Sequence, residues 1–237
     1  MSGHNKWSQI KHKKAKEDSK RGKAFTKLIK EITVAARAGG GDPAGNAKLR
    51  NLIDKARDIN MPLENQTRAI KRGTGELPGV NYEPFTYEGY APYGVAVLVE
   101  TLSDNKNRTV ADIRHIFSKG GGNLGEVGSV GWMFDHFGVI RATGSLSEDA
   151  LLEALIDHDI KDIKKDDNLF SILCDPYNLH AVKEAAQKAG LTIESAELEW
   201  VPKNQIDLND DQTNKVVELL STLNDHEDVQ NVYSSLG

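Results

Sequence analysis

The chain has 237 residues, of which 38% are hydrophobic and 27% are charged, enough apolar material for one large packed domain or two smaller ones. No stretch approaches the ~18 consecutive apolar residues of a membrane span, and the basic, polar start lacks the apolar core of a signal peptide. The single cysteine, Cys174, excludes an intramolecular disulfide and a multi-cysteine zinc site, so we expect a cytoplasmic protein that does not bind a membrane.

The net charge of −5 conceals two segments of opposite sign. Residues 1–80 contain 18 Lys and Arg against 8 Asp and Glu, a net charge of +10, whereas residues 81–237 contain 12 against 27, a net charge of −15. A segregated basic region is the electrostatic footprint of a nucleic-acid-binding segment, and an acidic remainder discourages nonspecific coating of the other surfaces.

The basic part of the chain has the pattern of a small helical domain. Its lysine-rich start has too few apolar residues to fold alone, so we expect it to be mobile or weakly helical until a polyanion or neighbouring helices hold it. Apolar residues three and four positions apart predict a helix over Phe25–Ala38 and a second over residues 46–57. Pro62 suits the first position of a third helix that ends at Gly73, which gives a three-helix domain over residues 1–75.

A segment rich in glycine and proline, Gly73–Asn81, follows as a linker, and the pattern then alternates between strands and helices. The predicted strands are Phe85–Tyr90, Val95–Leu102, Val130–Phe134, Gly138–Ala142, Ile160–Ile163, Leu169–Cys174, Leu191–Val201 and Val229–Tyr233. The predicted helices are Arg108–Lys119, Ser147–Asp157, Asn178–Ala189 and Asp210–Leu223.

This order of elements predicts an α+β fold with two sandwich domains. Residues 137–202 contain a β-α-β-β-α-β unit, the pattern of a ferredoxin-like sandwich. The flanking residues 81–136 and 203–237 supply the elements of a second sandwich. We therefore expect one ferredoxin-like domain to be inserted in a discontinuous one, after the N-terminal three-helix domain.

The candidate nucleic-acid contacts lie in the lysine-rich segment and the first helix. Ammonium and guanidinium groups that pair with phosphates release counterions, so binding should weaken with salt at a slope of roughly −0.9 per contact on duplex DNA. Lysine lacks the fork that reads guanine edges, which favours recognition of shape and backbone. The candidates for phosphate contact are Lys6, Lys11, Lys13, Lys14, Lys16, Lys20, Arg21, Lys23, Lys27 and Lys30.

Two other residues in this segment, Trp7 and His12, could stack on an unpaired base. The alternative is that Trp7 packs against the neighbouring helices. Both interpretations are compatible with the sequence.

The chain offers no comparable pattern for catalysis. Gly120–Gly125 matches G-x-G-x-x-G literally, but it follows a predicted helix and precedes a strand, the reverse of a dinucleotide site. We interpret it as a flexible loop able to approach an RNA or protein surface. The histidines have no metal-ligand spacing, the serines have no nucleophile elbow, and Cys174 is expected to be a small buried hydrophobe. We predict no catalytic residue, metal, cofactor or small-molecule substrate.

Several motifs, in the same order along the whole chain, resemble the YebC/PmpR family. They are Ser2–Trp7, Ile10–Lys14, Lys20–Lys23, Phe25–Ile32, Gly39–Pro43, Asn60–Pro62, Tyr87–Tyr90, Ser103–Thr109, Gly121–Gly125 and Gly128–Val130 with Trp132–Phe134. The resemblance implies an N-terminal helical domain and two ferredoxin-like domains, one inserted in the other. The chain departs from the family pattern after Tyr90, where Ala91 and Tyr93 replace part of a more glycine-rich loop.

The resemblance also implies a function. Members of this family are described as cytoplasmic, DNA-binding transcriptional regulators, and others, including mitochondrial relatives, as translation factors that bind the ribosome and ease synthesis of proline-rich stretches. Our hypothesis is a non-enzymatic regulator of gene expression whose partner is DNA or ribosomal RNA. A ribosome-bound translation factor is the first alternative, and a nucleotide-dependent enzyme is the second. The lysine-rich composition and the absence of a dimerising heptad favour RNA or nonspecific duplex on physical grounds.

Overall fold

The computed structural model of the chain describes residues 6–7 and 21–237, with only the backbone of Arg21. The three predicted helices of the N-terminal domain are present as α1 (Arg21–Gly39), α2 (Ala47–Asp58) and α3 (Leu63–Thr74). Gly73 allows α1 and α3 to approach closely, because a Cβ atom there would lie 2.4 Å from the carbonyl oxygen of Thr33.

The rest of the chain alternates between strands and helices. In chain order the elements are β1 (Glu83–Tyr90), β2 (Ala96–Ser103), α4 (Lys106–Lys119), β3 (Asn123–Leu124), β4 (Phe134–Thr143), α5 (Glu148–Ala154), β5 (Ile160–Asp166), β6 (Leu169–Cys174), α6 (Leu179–Lys188), β7 (Thr192–Pro202), α7 (Asp210–Asn224) and β8 (Val229–Ser234).

The strands form two separate antiparallel sheets of four. The first has the order β3-β1-β2-β8, and its core contains side chains of α4 and α7, such as Phe117 and Leu220. The second has the order β5-β6-β4-β7 and packs α5 and α6 around Leu151, Phe170 and Val182. The chain leaves the first sheet after β3 and returns to it through α7 and β8. The α+β class with one ferredoxin-like sandwich inserted in another is therefore confirmed.

The two sheets are joined by the ends of the inserted domain. β4 and β7 are neighbours, and Phe134 at the start of β4 is paired with Pro202 at the end of β7. Trp200 of β7 donates its indole N–H to a carboxylate oxygen of Glu100 on β2 at 3.0 Å. The inserted domain is thus attached both by its covalent connections and by a hydrogen bond to the first sheet.

One predicted strand is wrong. Val130–Phe134 is not a strand, because Gly131–Met133 forms a short 3-10 turn and β4 begins only at Phe134. The backbone N–H groups of Val130 and Gly131 bond to the carboxylate of Glu88, not to a neighbouring strand. From Phe134 the strand continues without a break to Thr143, so the predicted strand Gly138–Ala142 is its second half.

The structure also qualifies the interpretation of Gly120–Gly125 as a flexible loop. Asn123 and Leu124 form the short edge strand β3, which pairs with Tyr90 and Gly89 of β1. This pairing was not predicted, because two residues between glycines carry no strand period. Within residues 6–7 and 21–237, no helix is long and apolar enough to cross a membrane.

Candidate nucleic-acid interface

One face of α1 presents a row of lysines to the C-terminal end of α7. The last carbonyl groups of a helix have no partner within the helix and carry partial negative charge, so they attract cations. This docking joins the helical domain to the first sheet domain. At the end of α7, Lys23 Nζ donates to the carbonyl oxygen of Asp225 (3.2 Å) and Lys27 Nζ to that of Asn224 (2.6 Å). In the loop that follows α7, the carbonyl oxygen of Glu227 accepts from Lys30 Nζ (3.1 Å).

The lysine row ends at a buried carboxylate, Asp228. This side chain accepts hydrogen bonds from Lys30 Nζ at 2.6 Å, Thr109 Oγ1 at 2.8 Å and Arg108 Nη2 at 2.9 Å. Burial alone would raise the pKa of Asp228, but the bonds from Lys30, Arg108 and Thr109 outweigh burial and hold that pKa at about 2. Asp228 is therefore an ionised junction between α1 and α4.

This arrangement corrects the prediction for Lys30. Its side chain was expected to face a polyanion, but the residue is only 6% exposed and its ammonium is paired with Asp228. Lys30 is not available to a phosphate in this structure. Lys23 is exposed, Lys27 is half-buried, and Lys6 lies 3.9 Å from Asp210 with 45% of its side chain exposed.

Trp7 is placed in the core of the first sheet domain. It is 2% exposed, in the same apolar cluster as Phe117 and Leu220, and its indole N–H donates to the carbonyl oxygen of Val232 at 2.9 Å. The stacking prediction for Trp7 therefore does not hold in this structure. Its ring is packed, as in the alternative, but in the core of the first sheet domain and not in that of the N-terminal helices. Burial of so large an apolar ring stabilises the fold relative to a structure in which the ring is in contact with water.

The remaining candidates of the lysine-rich segment lie outside the described residues, as does the expectation that this segment is mobile or weakly helical. They stay predictions. They are Lys11, His12, Lys13, Lys14, Lys16, Lys20 and the side chain of Arg21.

A second basic surface, which the sequence interpretation did not single out, lies on α2 and α3. Arg57 and Arg68 are paired there with the same-helix carboxylates of Asp54 and Glu64. Four further cations are exposed and have no ion pair with a carboxylate in the described ranges. These four, which we call the α2–α3 cations, are Lys48, Arg50, Lys71 and Arg72. The helical periodicity of the sequence could have identified them, because none of the four lies on the buried apolar face of its helix.

The same helices border an open groove of about 420 Å³. Ile53 and Ile70 contribute its apolar lining, and Arg50 and Arg57 contribute its positive charge. On another side of α2, Lys55 forms an ion pair with Glu197 of β7 at 2.5 Å. Burial lowers the pKa of Lys55, but the attraction and hydrogen bond of Glu197, together with the charges of Glu31 and Glu199, outweigh burial and leave the pKa raised. The helical domain therefore contacts the inserted domain as well.

The glycine-rich segment after α4 does not form a phosphate cradle. The N–H groups of Gly120 and Gly122 bond to carbonyl groups of α4, and the N–H of Gly125 bonds to the carbonyl oxygen of Glu88. A dinucleotide site needs free N–H groups at the start of a helix. No cluster of three metal-ligating side chains occurs among the described residues.

The fold and its basic surfaces define a three-domain α+β protein whose cationic helical domain is docked on two acidic sandwich domains. Two family models match it: the TACO1/YebC protein N-terminal domain over residues 5–76, and the TACO1/YebC second and third domain over residues 82–236. The chain belongs to the TACO1/YebC family, as its resemblance to YebC/PmpR proteins implied.

Relatives of similar length share half of the sequence. A probable transcriptional regulatory protein of Chlorobaculum tepidum is 52% identical over 238 residues, covering 100% of this chain and 95% of the relative. Another of the same description, from Desulfatibacillum aliphaticivorans, is 54% identical and covers 99% of this chain and 96% of the relative. The crystal structure of a conserved hypothetical protein, Aq1575 of Aquifex aeolicus, has a TM-score of 0.86 at 45% identity and covers 98% of this chain and 96% of that one.

Proposed function

We propose that this protein is a non-enzymatic regulator of gene expression that binds nucleic acid through its basic N-terminal part. The observation that carries the proposal is the segregation of charge, +10 in residues 1–80 against −15 in residues 81–237. The relatives named probable transcriptional regulatory protein support the regulatory role.

The binding mode that we propose is electrostatic. The α2–α3 cations would pair with phosphates, together with the lysine-rich segment before α1. Part of the α1 face is occupied by its contacts with α7, so α1 would contribute less than the sequence predicts. Such contacts position a protein on a polyanion and carry little sequence information by themselves. The inserted domain would face away from the polyanion and remain accessible to partners.

Duplex DNA is the first candidate target, because the relatives are named as transcriptional regulatory proteins and transcription takes place on DNA. Ribosomal RNA, bound by a translation factor, is the second candidate, because a lysine-rich surface offers point charges that suit the backbone of either polymer. A nucleotide-dependent enzyme is disfavoured by the hydrogen-bonded backbone of the segment Gly120–Gly125.

The test measures the affinity of the full chain for a labelled DNA duplex and for a structured RNA at several salt concentrations. We expect a steep fall in affinity with salt, and the double variant Lys48→Glu/Lys71→Glu should reduce the slope by about 1.8 on duplex DNA. The matched control is Lys188→Glu/Lys215→Glu, with the same charge change on the acidic domains. Charge reversal at Lys11, Lys13, Lys14 and Arg21 should abolish binding.

Equal losses in the α2–α3 variant and in its control would mean that only overall charge matters, and would contradict the proposed interface. Retention on purified ribosomes without protection of DNA would select the translation factor. Binding of ATP or NAD with turnover would contradict the non-enzymatic proposal.

A further inference from the structure

Trp132 is a large aromatic side chain that the fold leaves at the surface. It lies in the connection between β3 and β4 and is 68% exposed, and Val127 in the same connection is 91% exposed. The other two tryptophans differ from it, because Trp7 is buried in the core and Trp200 is half-buried with its N–H bonded to Glu100. An exposed indole gains nothing from burial in the folded chain, so packing does not account for its position.

The backbone around Trp132 is held firmly by one buried carboxylate. Glu88 of β1 is 8% exposed, and it accepts the N–H groups of Gly128 at 2.8 Å, Val130 at 2.7 Å and Gly131 at 2.6 Å. Burial raises the pKa of Glu88, but the three N–H groups outweigh burial, and the pKa is lowered. The carboxylate is therefore ionised and fixes three of the four residues that precede Trp132.

Further bonds set the orientation of the ring. The indole N–H of Trp132 donates to the carbonyl oxygen of Ser129 at 3.2 Å, and the same carbonyl accepts the hydroxyl of Tyr90. Because its only polar atom has a partner within the chain, the ring offers a ligand its apolar faces and edges and no hydrogen bond. This is the chemistry of a stacking surface.

The surroundings of the ring suit a polyanionic ligand. Lys203 donates to the carbonyl oxygen of Trp132 at 2.9 Å, and 43% of its side chain is exposed, although Asp135 also lies 3.3 Å from its ammonium. Six of the twelve residues from Gly120 to Gly131 are glycines, so few side chains obstruct access to the loop. A cation near an exposed aromatic side chain is a combination with which proteins hold single-stranded nucleic acid.

We propose that Trp132 is a stacking platform for an unpaired base of single-stranded nucleic acid, with Lys203 beside it for a phosphate and Glu88 as the positioning residue. This inference rests on the proposed function and adds a contact on the first sheet domain, away from the basic helices. It also replaces Trp7 by Trp132 as the tryptophan that meets a base.

The test uses the full chain and a labelled twelve-nucleotide oligothymidylate, with an abasic oligomer of the same length as the second probe. Trp132→Ala should weaken binding of the oligothymidylate by about 5- to 150-fold without changing the salt slope. Trp132→Phe should retain most of the affinity. The abasic oligomer should bind the wild type and Trp132→Ala equally. Tyr177→Ala, which removes a ring that is 96% exposed on the inserted domain, is the matched control and should have no effect.

Glu88→Gln tests the positioning role. It should weaken binding of the oligothymidylate but not of the abasic oligomer, with cooperative unfolding retained. Equal losses for the two probes would assign Glu88 a general structural role and overturn this part of the proposal.

The other outcomes are distinguishable. If Trp132→Ala binds the oligothymidylate as the wild type does, with a steep salt slope, the stacking proposal fails and the proposed function stands. If the wild type binds no nucleic acid at low salt, both fail. If Trp132→Ala loses only its retention on ribosomes while oligomer binding is unchanged, the ring contacts the ribosome without stacking on the bases of a free single strand, and the proposal is overturned.

Discussion

The ammonium of Lys30 lies 2.6 Å from a carboxylate oxygen of Asp228, and both side chains are almost fully buried. The two residues are separated by 198 positions in the chain, and their contact joins α1 to the segment that precedes β8. A lysine from a basic segment that is typical of nucleic-acid binding thus forms an ion pair that joins two domains of the same chain.

Removal of Asp228 should destabilise the protein strongly. Asp228→Ala leaves Lys30 buried without its partner, so we expect the free energy of unfolding in urea to fall by about 3–5 kcal/mol. Asp104→Ala is the control, because Asp104 also contacts Arg108 but is partly exposed, and it should cost less than about 1 kcal/mol. Similar losses in the two variants would contradict the role of Asp228 as a junction.

Because the pKa of Asp228 is lowered in the folded chain, the free energy of unfolding should depend on pH in the acid range. The pKa of Asp228 falls from an ordinary 3.8 to about 2 in the folded chain, so its contribution is fully present above about pH 4. As the pH falls through 3.8 towards 2, the unfolded state takes up the proton first, and about 2 kcal/mol of stability is lost. Denaturant midpoints measured between pH 5 and pH 2 should show this loss. Asp228→Asn should remove that part of the slope, and an unchanged slope would assign it to other carboxylates.

Trp7 and Trp132 should respond oppositely to the same substitution. Trp7→Ala removes a core ring together with its bond to Val232, so we expect a loss of about 3–5 kcal/mol in the free energy of unfolding. Trp132→Ala changes an exposed side chain and should stay within about 0.5 kcal/mol of the wild type. A small loss for Trp7→Ala would show that its segment does not anchor on the first sheet.

Replacing Tyr93 by glycine should stabilise the protein. Its backbone has φ = 65°, the left-handed region that glycine adopts without strain, and it is one of the positions where this chain departs from the glycine-rich family pattern. Tyr93→Gly should raise the free energy of unfolding by up to about 1 kcal/mol. Tyr177→Gly, at an exposed position without positive φ, should instead lower it slightly. A loss at Tyr93 would mean that its ring contributes more than its backbone costs.

Cys174 should be unreactive in the folded protein. Its thiol is fully buried, and burial, assisted by the charge of Asp175, raises its pKa to about 11, so almost no thiolate forms at neutral pH. A thiol-specific disulfide reagent should release its chromophore at a rate limited by unfolding, and rapidly in urea. Fast labelling of the native protein would contradict this placement.

The fold could be predicted from the sequence to a large extent, because its elements obey local rules. The helix that contains Ile113 and Phe117 follows from apolar spacing, and Leu169–Cys174 has the same bounds in the pattern and in the structure. The error at Val130–Phe134 arose because Glu88 captures the backbone of an apolar segment that otherwise has the composition of a strand.

The candidate site was less predictable, because whether each basic side chain is exposed or buried depends on residues that are distant in the sequence. Charge alone could not show that Lys27 and Lys30 face the end of α7, since their acceptors are 197 residues away. Trp7 is buried in a core that includes the last strand, β8, at the other end of the chain. The composition was enough to identify the basic domain. Only the tertiary structure shows which of its cations contact other domains and which are exposed to solvent.

The pairing of Phe134 with Pro202 has a consequence for how such a chain can change over time. The chain enters and leaves the inserted domain through two adjacent strands, β4 and β7. The inserted domain can therefore be shortened, enlarged or replaced while the strands of the first sheet keep their positions. Selection can therefore reshape the parts of the inserted domain that lie away from Glu197 without disturbing the contacts between α1 and the first sheet domain.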